Sequence, residues 1–198
     1  LVLLHGRGAD ENDLFPLFDV LDPQRRLVGL APRGPLELPP MGAHWYVIRE
    51  LGYPDPVTFW PTFESASEWL DGVLSKLDIG FERVVVGGFS QGAVMSYALA
   101  LGNERPRPAG LMPLSGFIPT VEGLTIASDG LDGLPVAIGH GTFDPIIGVE
   151  WSRRAAEQLG AAGAQVLFRE SPMDHTIDPA FLRDLRTWLG TTLADPLS

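Results

Sequence analysis

One serine, one histidine and one aspartate carry the types and spacing that acyl-transfer chemistry needs. Gly88-Phe89-Ser90-Gln91-Gly92 fits G-x-S-x-G, the pattern in which a strand turns sharply into a helix and holds an exposed serine hydroxyl in a strained conformation. At this glycine and serine content about 0.13 such matches arise by chance in the chain, so the flanking residues must decide. Arg83-Val84-Val85-Val86-Gly87 has the composition of a strand, and Ala93 to Ala100 that of a helix. That is the strand–turn–helix context the motif requires, and the glycines admit close neighbours where a Cβ would collide.

A serine is a weak nucleophile without a base that is itself oriented by an acid. Of the four histidines, His5 and His140 close strands and are each followed by glycine, where packing or a hydrogen bond accounts for them. His44 precedes the serine. In this arrangement the partners follow in the order serine, acid, histidine. Only His175, in Pro172-Met173-Asp174-His175-Thr176, leaves room for an intervening acid on a separate strand end. Asp144 follows the strand around Val136–Ile138 and so falls on the same sheet edge as Ser90, where ligands bind in parallel sheets. Asp129 and Asp132 precede that strand, and Asp174 is too close in the chain to reach its neighbour's Nδ1. Two backbone N–H groups are also needed for the oxyanion. Gln91, next after the nucleophile, supplies one, and Arg7, in the loop after the first strand, the other.

These residues must be held by strands and helices in alternation. Strand-like runs are Leu1–Leu4, Leu27–Ala31, Val84–Gly88, Gly110–Leu114, Val136–Ile138 and Gln165–Phe168. They are continuously apolar, as strands covered on both faces read. Helical spacing runs through Ala66, Trp69, Leu70, Val73, Leu74 and Leu77, and again through Ile177, Phe181, Leu185, Trp188 and Leu189. Two more helices fall near Gln91–Leu101 and Gly148–Leu159. The alternation implies a mostly parallel sheet wrapped by helices. Residues 32–61 break the pattern with seven prolines, three glycines and a run of aromatics. A loop of that length is commonly functional, so Trp45, Phe59 and Trp60 are expected to line the acyl side of a substrate pocket.

With 198 residues, 45% of them hydrophobic, the chain is expected to form one domain, 1–198, with a sizeable core. A net charge of −11 and the lack of any basic run longer than two residues argue against nucleic-acid partners. No apolar stretch approaches the ~18 residues of a membrane span, and no stable membrane insertion is expected. Zero cysteines remove zinc-thiolate sites, iron–sulfur clusters and thiol nucleophiles, and fit a cytoplasmic location. A dehydrogenase reading of Gly6-Arg7-Gly8 fails because Glu11 stands where the third glycine belongs. Oligomeric state is open, a homodimer included.

Taken together, Leu4-His5-Gly6-Arg7-Gly8-Ala9-Asp10, Gly87-Gly88-Phe89-Ser90-Gln91-Gly92-Ala93, Leu114-Ser115-Gly116-Phe117, Gly139-His140-Gly141 with Asp144, and His175-Thr176-Ile177 resemble the carboxylesterase/phospholipase family of α/β-hydrolases. The resemblance implies an α/β-hydrolase fold with helices on both faces of the sheet and no separate cap domain. It also implies a Ser90–Asp144–His175 triad and hydrolysis of small-molecule carboxylic esters or thioesters without metal or cofactor. The competing reading is a hydrolase-like binding module that has lost its chemistry. One residue departs from the family pattern: Asp174 stands where glycine usually precedes the histidine. A second carboxylate there favours the imidazolium and predicts a higher optimum pH.

Overall fold

The apolar runs become strands of one sheet because both of their faces are covered. The computed structural model describes residues 1–103 and 105–194. Its elements in chain order are β1 (Val2–Leu4), α1 (Phe15–Leu21), β2 (Leu36–Glu37), β3 (Ala43–His44), β4 (Ile48–Glu50), β5 (Tyr53–Pro54), α2 (Pro56–Leu77), β6 (Val85–Phe89), α3 (Gln91–Leu101), β7 (Gly110–Leu114), β8 (Pro135–Gly141), α4 (Glu150–Ala161), β9 (Gln165–Ser171) and α5 (Pro179–Thr192). The main sheet has the order β1-β6-β7-β8-β9, and every pairing in it is parallel. All the carboxyl ends of these strands therefore lie on one edge.

Alternate residues of each strand feed different cores, as a two-residue period requires. Val2, Leu4 and Val86 pack with Phe59, Phe63, Leu70 and Leu74 of α2 and with Val94, Met95 and Leu99 of α3. Leu3, Val85, Met112, Leu114 and Ala137 pack instead with Leu21 of α1 and Phe181, Leu185 and Leu189 of α5. Leu111, Val136 and Ile138 join Tyr97 and Leu101 of α3 and Ala155 and Leu159 of α4. So α2, α3 and α4 cover one face, and α1 and α5 the other. Every residue of α3 is buried, which ties the element after Ser90 to the centre of the molecule.

Three expectations change. Leu27–Ala31 is not a strand: only Leu30 bridges Val2, beside β1. Pro32-Arg33-Gly34 follows at once, and Pro32 has no N–H with which to continue a ladder. The Pro-rich stretch ends earlier than its prolines suggest. Pro56 sits at the first position of α2, where a missing N–H costs nothing, so Phe59 and Trp60 are helical. What precedes is two short antiparallel pairs, β2–β3 and β4–β5. The buried stripe of α2 runs through Phe59, Thr62, Phe63, Leu70 and Leu74, while Trp69 and Leu77 lie toward solvent.

Candidate active site

Ser90 stands between β6 and α3 with φ 55° and ψ −119°. Positive φ costs a non-glycine residue of order 1–3 kcal/mol and persists only where the surroundings enforce it. Here they do. A Cβ on Gly92 would run into the carbonyl of Leu4, and one on Gly88 into both Gly92 and Leu4. The elbow is therefore wedged between β1 and α3, and the Ser90 N–H is fixed to the Leu114 carbonyl at 2.9 Å.

Three strand ends bring the partners together. His175 Nε2 lies 2.8 Å from Ser90 Oγ, and His175 Nδ1 lies 2.5 Å from Asp144 Oδ2. Asp144 follows β8, and its other oxygen, Oδ1, accepts the N–H groups of Ile146 and Ile147 at 2.8 and 2.9 Å. Burial pushes the Asp144 carboxyl up, but the hydrogen bonds from His175 and these two amides outweigh it and hold the group below its usual 3.8. It is thus a carboxylate wherever the protein is folded near neutrality. The loop carrying His175 rests on the loop carrying Asp144. Thr142 N–H donates to the Ser171 carbonyl and Phe143 N–H to the Met173 carbonyl. Gly141 is required for this approach, because a Cβ there would strike the carbonyls of Met173 and Asp174.

Several contributors escaped sequence reasoning. The Phe89 ring lies against the His175 imidazole, with centroids 4.8 Å apart, and so limits its rotation. His140 is buried behind the acid, with Nε2 2.7 Å from the Ile147 carbonyl and 3.3 Å from Asp144 Oδ2, and Nδ1 2.6 Å from Ser152 Oγ. The Ile147 carbonyl fixes the ring proton on Nε2, so Nδ1 accepts from the serine. Burial lowers the His140 pKa despite these partners and keeps it neutral near pH 7. The signal available in sequence was Gly139-His140-Gly141 alone, which does not distinguish a packed histidine from one that braces the acid.

The oxyanion candidates also come together. Gln91 is the first residue of α3, so its N–H has no acceptor within the helix. Arg7 follows Gly6, where an added Cβ would lie 3.3 Å from the Phe89 ring and 3.5 Å from the Ser90 Cβ. Among the described residues the Arg7 N–H takes no hydrogen-bond acceptor. Neither donor is paired among the described residues; Gln91 adjoins Ser90 in the chain, and Arg7 adjoins Gly6, which packs beside that serine.

The expected pocket wall is corrected. Trp45 and Phe59 are 1% and 0% exposed and belong to the core between β1, α2 and α3, so neither presents a surface to a ligand. Trp45 instead donates its indole N–H to the His5 carbonyl at 2.9 Å. Trp60 is half-buried, packs on Phe59 and Phe63, and donates to the Glu122 carbonyl at 3.0 Å. Asp174 is exposed, and its carboxylate makes no hydrogen bond or ion pair among the described residues. No described helix is long and apolar enough to cross a membrane.

Comparison with known proteins agrees with this fold. The family model described as phospholipase/carboxylesterase matches residues 1–193. Acyl-protein thioesterase 1 of Candida albicans is 32% identical over 182 residues, covering 81% of this chain and 78% of that protein. Acyl-protein thioesterase 1 of Cryptococcus neoformans is 27% identical, covering 98% and 92%. The Bacillus cereus carboxylesterase structure superposes with a TM-score of 0.83 at 24% identity, over 97% of this chain and 88% of that one. A carboxylesterase from Mesorhizobium loti gives 0.81 at 22%, over 96% and 87%. The chain belongs to the phospholipase/carboxylesterase family and has the α/β-hydrolase fold.

Proposed function

We propose that this chain is a serine hydrolase that cleaves carboxylic esters and thioesters through an acyl-enzyme on Ser90, acting as one catalytic domain. The observation that carries the reading is the continuous hydrogen-bonded line from Ser90 Oγ through His175 to Asp144, with the serine at a strained φ of 55°. Ser90 Oγ attacks the acyl carbonyl carbon as His175 Nε2 takes its proton. Asp144 orients the ring and stabilises the imidazolium. The N–H groups of Arg7 and Gln91 receive the charge that develops on the carbonyl oxygen. His175 then returns the proton to the departing alcohol or thiol. A water, deprotonated by the same nitrogen, releases the acid and frees Ser90.

Thioesters are included because the curated relatives at up to 34% identity carry the name acyl-protein thioesterase 1. The lack of cysteine supports a cytoplasmic site of action, and the net charge of −11 supports a role without nucleic-acid partners. The test is turnover of p-nitrophenyl butyrate and of a butyryl thioester by the wild type and by Ser90→Ala. Both substrates should be cleaved by the wild type, and the variant should lose about 10⁴-fold or more while keeping its fold. Turnover by Ser90→Ala at the wild-type rate would sink the reading.

A further inference from the structure

The two oxyanion donors belong to different elements, and the sheet that could hold them in register stops short of both. Pairing of β1 with β6 ends at Leu4 opposite Gly88. Arg7 lies three residues beyond that last pair and Gln91 three residues beyond it on the other strand. Ser90 N–H bonds away from β1, to Leu114. Something other than the ladder must set the distance between the Arg7 and Gln91 amides.

A buried bridge spans that gap. The Gln91 side chain, 2% exposed, is used at both ends: its Oε1 accepts the Trp45 backbone N–H at 2.8 Å, and its Nε2 donates to the Tyr46 carbonyl at 2.7 Å. The Trp45 indole N–H then reaches the His5 carbonyl at 2.9 Å, two residues before Arg7. The His5 ring lies 5.1 Å from the indole, centroid to centroid, and its Nε2 accepts the Gly34 N–H at 2.9 Å. On the far side of Arg7, Gly8 N–H donates to the Ala43 carbonyl at 2.8 Å, and Ala43 N–H donates to that of Ala9 at 2.7 Å. Residues 43–46 thereby clasp the loop on both sides of Arg7 and are themselves clasped by the side chain of Gln91. Trp45 and Gln91 are nearly unexposed, so these bonds are not exchanged with water.

We propose that the Gln91 carboxamide and the Trp45 indole are positioning groups that set the spacing of the Arg7 and Gln91 amides around the oxyanion. Neither side chain touches the substrate. The inference rests on the Ser90 hydrolase reading, and it makes the backbone donors testable through side chains that can be changed. It also assigns the role of residues 43–46: they hold the hole in shape.

Two variants break the bridge at different points. Trp45→Phe removes the indole N–H and keeps most of the bulk, and Gln91→Met removes both carboxamide bonds at nearly constant volume. Each is assayed on p-nitrophenyl butyrate for kcat and KM, for inhibition by a trifluoromethyl ketone that forms a hemiketal oxyanion with serine, for the pH profile of kcat/KM, and for melting temperature. Removing a whole oxyanion donor costs about 10²–10³ in kcat. A loosened one should cost about tenfold in each variant, with KM within about twofold and the ketone weakened by about the same factor as kcat/KM. The pH profile should not move, because the triad is untouched. Wild-type kcat and ketone affinity in a folded variant would overturn the inference, as would a loss confined to KM or one that moves with the pH profile. If Gln91→Met does not fold, Trp45→Phe alone decides. Failure of the hydrolase reading itself would appear separately, as a wild-type protein whose Ser90 is not labelled by a fluorophosphonate.

Discussion

The proposed triad and the proposed oxyanion hole meet at Ser90 but are supported by unlike means. The triad half draws on β6, β8 and β9, interior or well-paired strands whose parallel register delivers three loops to one edge. Its side chains then finish the alignment, with Asp144 accepting from His175, Ile146 and Ile147. The oxyanion half follows β1, which has one full strand partner and on its other side only the Leu30 bridge. It borrows its rigidity from residues 43–46, which are the two-residue strand β3 and the two residues after it, outside the main sheet. The lesson is that a stretch rich in proline and glycine can be part of a rigid scaffold when buried side chains stitch it down.

The strongest way to separate the halves is Asp144→Asn. It should lower kcat by about 10⁴, by presenting the wrong partner to His175 Nδ1, while leaving the chain folded, with a lower melting temperature because buried bonds to the carboxylate are lost. Retention of more than a tenth of wild-type kcat would show that Asp144 does not orient the base. Phe59→Ala strikes the support of the other half, because Phe59 is fully buried and its ring lies 5.9 Å from that of Tyr46. It should cost about 3–5 kcal/mol in urea unfolding, and a cost under 1 kcal/mol would contradict the core placement. The tenfold effect expected of Trp45→Phe lies below both.

Acid should weaken both halves, each through one histidine. Burial lowers the pKa of His5, in the oxyanion half, and of His140, in the triad half, below the usual 6.5. The unfolded chain therefore takes up protons that the folded chain refuses, and stability falls as pH drops below about 6.5. The slope is at most about 1.4 kcal/mol per pH unit for each histidine. His140→Asn should flatten the fall in unfolding free energy between pH 6.5 and 5, and an unaltered slope would show that His140 is not refused its proton. Asp144 acts in a lower range: its contribution is complete above 3.8 and is lost as pH falls through its lower folded value. The smallest effect belongs to Asp174→Gly. It should change kcat/KM on p-nitrophenyl butyrate by less than about twofold, since solvent screens an exposed carboxylate. A loss of about tenfold or more would show that Asp174 takes part in the chemistry.

What could be read from the sequence divides along the same line. The meeting of Ser90, Asp144 and His175 was readable because each follows a strand-like run, and the chemistry proposed for them restricts residue type and order. The parallel sheet was readable because runs such as Gly110–Leu114 are apolar on both faces, and that strand has the expected bounds. Trp45 and Phe59 were misread because an aromatic side chain suits a pocket wall and a core equally well. What separates the two is a long-range partner, such as the His5 carbonyl 40 residues away. The helix α1 was missed because Pro16 and a single buried leucine leave little periodic signal in seven residues. Trp69 and Leu77 looked buried from spacing alone, yet the covering elements reach only as far round α2 as Leu70 and Leu74. The bridge through Gln91 could not have been foreseen, since nothing in Gly88–Gly92 says where the glutamine side chain points.

The central claim, that Ser90 is the activated nucleophile, is tested most directly by intact-mass analysis after reaction with a fluorophosphonate. The account predicts one adduct per wild-type chain, located on Ser90 by peptide mapping, with none on Ser90→Ala and labelling at least about 100-fold slower in Asp144→Asn. An unlabelled wild-type chain that still hydrolyses p-nitrophenyl butyrate, or an adduct on any other serine, would contradict it.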